Sequence, residues 1–116
     1  MKHLLTFLLL SHLAYGQMQL DTSLLLGDTT LYFNSDHYDL SEKELDKLEI
    51  FLERIDIKDH ISYFVNAFTD EVGSIEYNIT LSKNREQTVV NHLIQRGVPA
   101  HLIIAEHFGE KEKVSE

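Results

Sequence analysis

The chain has 116 residues, no cysteine and a formal net charge of −9, with 19 acidic against 10 basic side chains. This length suits one small domain with a modest core. The acidic balance argues against binding to nucleic acid or to anionic membrane surfaces. The lack of cysteine excludes a disulfide framework.

The first sixteen residues have the organisation of a secretory signal peptide. A basic start at Lys2 precedes an apolar run from Leu4 to Leu10, and the small residues Ala14 and Gly16 predict cleavage after Gly16. The run is shorter than the roughly 20 residues that span a bilayer, so no transmembrane span is expected in the mature chain. The alternative is a buried N-terminal helix. The predicted parts are a signal peptide over 1–16, a lead-in segment over 17–28 and one domain over 29–116.

A strand and a helix are predicted after the lead-in. The strand covers residues 29–34, which are rich in β-branched and aromatic side chains. The helix begins at Ser41, because Ser41 and Glu44 have the spacing of a capping box. Apolar side chains then recur at three- and four-residue spacing until about residue 56. These apolar residues are Leu45, Leu48, Leu52 and Ile55.

A second strand is predicted over residues 60–68. Both of its faces carry apolar side chains, which is typical of an interior strand. The strand brings Thr69 and Asp70 to its carboxyl end. Open α/β sheets tend to bind ligands beyond that end, so these two residues are candidates for a site.

A second helix and a third strand complete the pattern. Gly73 turns the chain, and Ser82 is the expected N-cap of the helix. Gly97 is expected to end the helix, because glycine is common at the C′ position directly after the C-cap. Residues 101–108 are then predicted to form the third strand. The order of strand, helix, strand, helix and strand indicates a two-layer α/β fold.

Arg85 stands out among the charged residues. It is one of three arginines, and a helix that begins at Ser82 places it in the first turn, where the helix dipole disfavours a cation. With Asp70 nearby, an acid and a base at one loop suit a zwitterionic ligand such as an amino-acid head group. The alternative is that Asp70 and Arg85 form a salt bridge that only holds the loop to the helix.

Several residues together resemble the OmpA-like peptidoglycan-binding domain family. The resemblance covers about residues 29–114, and the spacing from Asp70 through Asn78 to Arg85 is its most specific part. The residues that carry it are Thr69, Asp70, Gly73, Asn78, Leu81, Ser82, Arg85, Val89, Val90, Leu93, Gly97, Pro99, Phe108, Gly109 and Glu110.

The resemblance implies an architecture and a function. The implied fold is a two-layer β-α-β-α-β OmpA-like sandwich with a small mixed sheet, in which the final strand of the family is missing. The implied function is a non-catalytic module that binds the diaminopimelate residue of the peptidoglycan stem peptide. Such a module is exported, is periplasmic or associated with the outer membrane, and tethers an outer-membrane or periplasmic component to the cell wall. An outer-membrane protein is therefore a candidate partner.

The resemblance also implies roles for single residues. Asp70 would pair with the ammonium group of the ligand, and Arg85 would hold its carboxylate through a bidentate fork. Asn78 would order the loop or donate to the ligand, and the first loop would form the opposite wall. The implied ligand-binding set is Asp70, Arg85, Asn78, Thr69, Asn34 and Asp36. No cofactor or metal is expected, since the histidines lack metal-ligand spacing.

Two other hypotheses follow from the missing strand. A relative that has lost the ligand could act as a protein-interaction or assembly partner, because an unpaired sheet edge invites another chain. A gene fragment that does not fold stably is the third possibility. Residues 24–26 are a candidate replacement strand. An enzyme is not expected, because no nucleophile with a nearby base and no glycine-rich phosphate loop is visible.

Overall fold

The computed structural model describes residues 3–11, 25–55, 61–69 and 72–109. Within these ranges, two long helices pack on a four-stranded sheet. The strands are β1 His3–Ser11, β2 Leu25–Phe33, β3 Ile61–Ala67 and β4 Ile103–His107, and the helices are α1 Glu42–Glu53 and α2 Ile75–Gln95. A short 3₁₀ turn, Ala100–Leu102, precedes β4. In the part of the chain described here, no helix is both long and apolar enough to cross a membrane.

The sheet is mixed, with the strand order β2-β1-β3-β4. β1 runs antiparallel to both β2 and β3, whereas β3 and β4 are parallel. The three strands and two helices predicted from the sequence correspond to β2, α1, β3, α2 and β4. The predicted two-layer α/β fold with a small mixed sheet is therefore confirmed.

β1 is the element that the sequence did not predict. Its residues lie within the predicted signal peptide, and they form a strand rather than the alternative N-terminal helix. In register, Leu5 pairs with Leu31 on β2 and with Ala67 on β3. The extra strand comes from the N-terminal segment and not from residues 24–26, because Leu25 and Leu26 begin β2 instead. Cleavage after Gly16 stays a prediction.

α1 begins as predicted, but its capping glutamate has a different partner. The Oγ of Ser41 accepts a hydrogen bond from the amide of Glu44 at 3.3 Å. The Glu44 carboxylate accepts from the amide of Tyr32, on the edge strand β2, at 2.9 Å. Burial acts to raise the pKa of Glu44, but hydrogen bonds from Lys47 and Tyr32 and the charges of Lys47 and Lys43 outweigh it. The net pKa of Glu44 lies below its ordinary value of 4.5.

The predicted start of α2 is wrong. The N-cap is Ser74, whose Oγ accepts from the amide of Tyr77 at 3.0 Å, and the helix runs without a break from Ile75 to Gln95. Ser82 lies inside this helix, where its hydroxyl donates to the carbonyl of Ile79 at 2.9 Å. A serine in a helix interior commonly makes this kind of backbone bond.

The predicted end of α2 at Gly97 is confirmed. The amide of Val98 donates to the carbonyl of Leu93 and the amide of Gly97 donates to that of Ile94, both at 3.0 Å. These two bonds form a Schellman motif. Gly97 has φ 99°, a left-handed conformation that glycine adopts without steric cost.

The core lies between the sheet and the two helices. It contains Leu31, Phe33, Leu48, Leu52, Ile61, Tyr63, Val65, Ala67, Val89, Leu93, Val98 and Leu102. Of the apolar residues predicted on α1, Leu48 and Leu52 belong to the cluster and Ile55 packs against it. Because both helices contribute to one cluster, the core holds α1 and α2 on the sheet.

Candidate functional site

The candidate site lies at the side of the sheet where the carboxyl ends of β2, β3 and β4 meet, called here the carboxyl edge, or simply this edge. β3 and β4 are joined there by two main-chain hydrogen bonds. The amide of Thr69 donates to the carbonyl of Gly109 at 2.7 Å, and the amide of Phe108 donates to that of Ala67 at 2.9 Å. The rings of Phe68 and Phe108 stack beside these bonds with centroids 5.0 Å apart. Thr69 is consequently buried, with 2% of its surface exposed.

Arg85 lies against the end of β2 and the loop that follows it. Its side chain is wholly buried, at 0% exposure. The Nε–H donates to the carbonyl of His37 at 2.6 Å, and Nη2 donates to the carbonyl of Asn34 at 3.0 Å. The guanidinium carbon also lies 5.1 Å from the centre of the Phe33 ring, within cation–π range. These contacts fix both the position and the plane of the guanidinium.

The predicted placement of Arg85 in the first turn of a helix is wrong. Because α2 begins at Ile75, Arg85 lies in the middle of the helix, where the terminal dipole has little effect. The loop carbonyls and the Phe33 ring are contacts that stabilise the buried cation in this position.

The loop after β2 is tied to the start of α2 by Asp36 and Tyr77. The Tyr77 hydroxyl donates to Oδ1 of Asp36 at 2.6 Å on the protein surface. Asp36 has φ 63°, a left-handed conformation that aspartate tolerates better than most residues. The sequence identified Asp36 as part of the opposite wall but gave no signal for Tyr77.

Further along, the same loop is held by its own turn and by the middle of α2. The amide of His37 donates to the carbonyl of Asn34 at 3.0 Å. The Thr88 hydroxyl bonds to the carbonyl of Tyr38. The segment 34–38 therefore lies along α2, held near both of its ends.

Asn78 is also buried at this edge, with 1% exposure. Its Oδ1 lies 3.9 Å from the position that a Cβ atom on Gly73 would take. Asn78 therefore packs against the turn that connects β3 with α2. This placement is compatible with the predicted role in ordering that turn.

Ser82 joins α2 to the end of β4. Its Oγ accepts a hydrogen bond from the amide of Gly109 at 3.0 Å. Gly109 has φ 61°, and a Cβ atom there would come within 3.2 Å of Ile79 Cγ1. Both features favour a glycine at this position. Sequence reasoning identified Ser82 but misassigned its role, since nothing local relates residue 82 to residue 109.

Glu86 follows Arg85 in sequence but interacts with a different element. Its Oε1 lies 2.6 Å from Nδ1 of His107 at the end of β4. The carboxylate is largely buried, at 8% residue exposure. The acid next to Arg85 is thus directed to the sheet.

Five of the six predicted site residues lie at this edge: Arg85, Asn78, Thr69, Asn34 and Asp36. The sixth, Asp70, lies outside the described residues, directly after Thr69. Within the described ranges, no group of three or more histidine, aspartate or glutamate side chains is arranged to hold a metal ion.

Comparison with known proteins gives a consistent match over most of the chain. The sequence model of the OmpA family matches residues 32–116. Outer membrane protein A of Klebsiella aerogenes is 40% identical over 74 residues, which are 64% of this chain and 21% of that protein. Outer membrane protein A of Salmonella typhi is 42% identical over 74 residues, with the same two shares. Its counterpart in Escherichia coli O157:H7 is 44% identical over 71 residues, 61% of this chain and 20% of that protein. The match spans about a fifth of the length of these three relatives.

Proposed function

This chain belongs to the OmpA family, and we propose that it is a non-catalytic cell-envelope module that binds the stem peptide of peptidoglycan. The diaminopimelate residue is the proposed ligand, because it carries an ammonium group and a carboxylate on one carbon at the end of its side chain. Relatives named outer membrane protein A support a location at the outer membrane or in the periplasm. There the module would tether an envelope component to the cell wall.

The fixed guanidinium of Arg85 is the observation that carries this proposal. Its Nε and Nη2 atoms donate to the carbonyls of His37 and Asn34, so the plane of the fork is set before a ligand arrives. A guanidinium has five N–H donors in a geometry that matches a carboxylate. Because the side chain is already ordered, little rotamer entropy is lost when the carboxylate binds.

Asp70 supplies the complementary charge in the proposal. It follows Thr69, whose amide is bound to Gly109 at the same sheet edge as Arg85. An aspartate carboxylate pairs with an ammonium group through charge-assisted hydrogen bonds. One acid and one guanidinium together would select a carbon that bears both an ammonium group and a carboxylate over a simple amine or a simple acid.

Ligand entry requires a segment over Arg85 to move, because the side chain has no exposed surface. We assign this movement to the loop 34–38. Its link to α2 through Asp36 and Tyr77 is solvent-exposed and therefore weak. The loop would then close again over the ligand, with its carbonyls bonded to Nε and Nη2 of Arg85 as before.

A matched pair of ligands tests the proposal. The two ligands are stem tripeptides that contain either diaminopimelate or lysine. Lysine is diaminopimelate without the side-chain carboxylate, so the lysine tripeptide lacks only the group that Arg85 would hold. Titration calorimetry of the full chain should show at least about tenfold weaker binding of the lysine tripeptide, because a charge-assisted bidentate pair is lost. Equal affinity for the two tripeptides, or no binding of either, would contradict the proposal.

A further inference from the structure

A groove of about 350 Å³, which we call the loop–helix groove, lies between the loop that follows β2 and the second half of α2. One wall is the segment 38–40, which leads into α1, and Leu45 on α1 also lines the groove. The opposite wall contains Asn91 and Gln95 on α2. Sites for small molecules are concave and begin at about this volume, so the groove suits one compact ligand.

Two polar contacts hold the walls of the loop–helix groove together. The Thr88 hydroxyl bonds to the carbonyl of Tyr38, which ties the loop to α2. The Nε2 of His92 pairs with the carboxylate of Glu49, which ties α1 to α2. Thr88 and His92 both line the groove, so its shape is set by bonds within the protein.

Three other polar side chains in the lining have free hydrogen-bonding capacity. Within the ranges that the structure describes, the side chains of Asp39, Asn91 and Gln95 make no hydrogen bond or ion pair. A carboxylate accepts hydrogen bonds, and each amide both donates and accepts. Among the described residues of the lining there is no lysine or arginine, so a phosphate or carboxylate would meet Asp39 without either cation to balance it. The groove therefore suits a neutral ligand that carries several hydroxyl or amide groups.

We propose that the loop–helix groove binds an N-acetylated amino sugar of the peptidoglycan glycan, a subsite that rests on the proposed function. The hydroxyls of the sugar donate to Asp39, and its acetamido group pairs with the amides of Asn91 and Gln95. Leu40 and Leu45 supply the apolar surface for the acetamido methyl group. The sugar and the stem peptide attached to it are then bound as one molecule.

The distance between the groove and Arg85 matches the length of the stem. Asn91 and Gln95 follow Arg85 by six and ten residues in α2, which is about 9 and 15 Å along the helix axis. Diaminopimelate is the third residue of the stem, counted from the sugar, and three extended residues span about 10 Å. The loop contacts both places, because the carbonyls of two successive residues, His37 and Tyr38, accept hydrogen bonds from α2. One ligand can therefore reach both sites.

Two forms of one ligand test this subsite. The first is the N-acetylated stem tripeptide with diaminopimelate, and the second is the same tripeptide attached to its disaccharide. Titration calorimetry of the full chain should show at least about fivefold tighter binding of the second form, because the linked sugar binds at high effective concentration. The double variant Asn91→Ala and Gln95→Ala should lose this gain and keep its affinity for the tripeptide. The control Gln87→Ala removes an exposed amide of α2 outside the groove and should retain the gain.

A second measurement separates the subsite from the site at Arg85. N,N′-diacetylchitobiose, a neutral disaccharide of the same sugar class, is added to the isotope-labelled full chain at about 20 mM. The side-chain amide NMR signals of Asn91 and Gln95 should shift, whereas that of Gln87 should stay in place. This readout does not depend on binding of the tripeptide, so a failure of the proposed function and a failure of the subsite can be distinguished.

The subsite is overturned if the disaccharide adds no affinity to a tripeptide that binds, or if the gain survives in the double variant. If neither form of the tripeptide binds, the proposed function fails. Unshifted amide signals with diacetylchitobiose would then remove the subsite as well, whereas shifted signals would support the sugar site by itself.

Discussion

The Nε–H of Arg85 donates to the main-chain carbonyl of His37 over 2.6 Å, and this bond joins the middle of α2 to the loop that follows β2. A second bond, from Nη2 to the carbonyl of Asn34, reinforces it. Arg85 therefore stabilises the loop whether or not a ligand is bound. Variants at this position must separate a loss of binding from a loss of folding.

Arg85→Lys is the first prediction. Lysine keeps the charge but cannot donate to two loop carbonyls from a planar fork, so the free energy of unfolding should fall by about 1–3 kcal/mol. Urea denaturation measures this change. The matched control is Arg96→Lys at the C-cap of α2, where the half-exposed arginine pairs with Glu49 at 2.5 Å. That substitution should cost less than about 1 kcal/mol. Equal losses at the two positions would contradict the structural role of Arg85.

Tyr77→Phe should loosen the loop without unfolding the domain. The change removes the hydroxyl that donates to Asp36, and an exposed hydrogen bond of this kind stabilises by about 1 kcal/mol or less. Amide hydrogen exchange should become faster within 34–38, while exchange in the core strands stays unchanged. Asp36→Asn is the control, because asparagine keeps an acceptor and tolerates the left-handed conformation. Unaltered exchange in the loop of the Tyr77 variant would show that this tether does not hold it.

Ser82→Ala should destabilise the junction between α2 and the end of β4. The substitution leaves the buried amide of Gly109 without its acceptor, which costs about 1–3 kcal/mol. Thermal and urea denaturation give the measurement. Lys83→Ala is the control, since Lys83 is exposed on the same helix and should change stability by no more than about 0.5 kcal/mol. If the serine variant were as stable as the lysine variant, the assigned contact would be wrong.

The folded state should lose stability in acid partly through Glu44. Its pKa is lowered in the folded protein, so its stabilisation is fully present above the ordinary value of 4.5 and disappears as pH falls through the folded pKa. Glu44→Gln keeps an acceptor for the amide of Tyr32 but lacks the charge. The stability difference between wild type and this variant should therefore be constant near neutral pH and shrink below pH 4.5. A difference that is independent of pH would contradict the lowered pKa.

The order of the elements and two helix boundaries could be predicted from local signals. Ser41 and Gly97 act through hydrogen bonds that span only a few residues, so their spacing in the sequence carries the information. The positions of Arg85, Asn78 and Thr69 at one sheet edge also follow from strand order. The sequence therefore predicted that these residues lie near one another, although it misplaced the start of the helix that carries Asn78 and Arg85. Their role in ligand binding stays a prediction.

The remaining features depend on contacts between distant residues. Residues 75–81 include β-branched side chains and an asparagine, which favour helices weakly, so Ser82 fitted the role of N-cap better than Ser74. Burial of Asn78 and Leu81 in the fold overrides that local preference. Similarly, the partner of Glu44 lies twelve residues away on β2. A leader-like apolar run and a central strand share the same composition, so β1 could not be recognised.

Sedimentation with purified peptidoglycan tests the central claim most directly. The full chain is mixed with diaminopimelate-type peptidoglycan beside two variants, Arg85→Lys and Arg96→Lys, each shown to be folded by circular dichroism. We expect the wild type and Arg96→Lys to sediment with the wall, whereas Arg85→Lys stays in the supernatant because a lysine cannot form the bidentate fork. If the folded wild type stays in solution, or if Arg85→Lys sediments as well as the wild type, Arg85 does not anchor this domain to peptidoglycan.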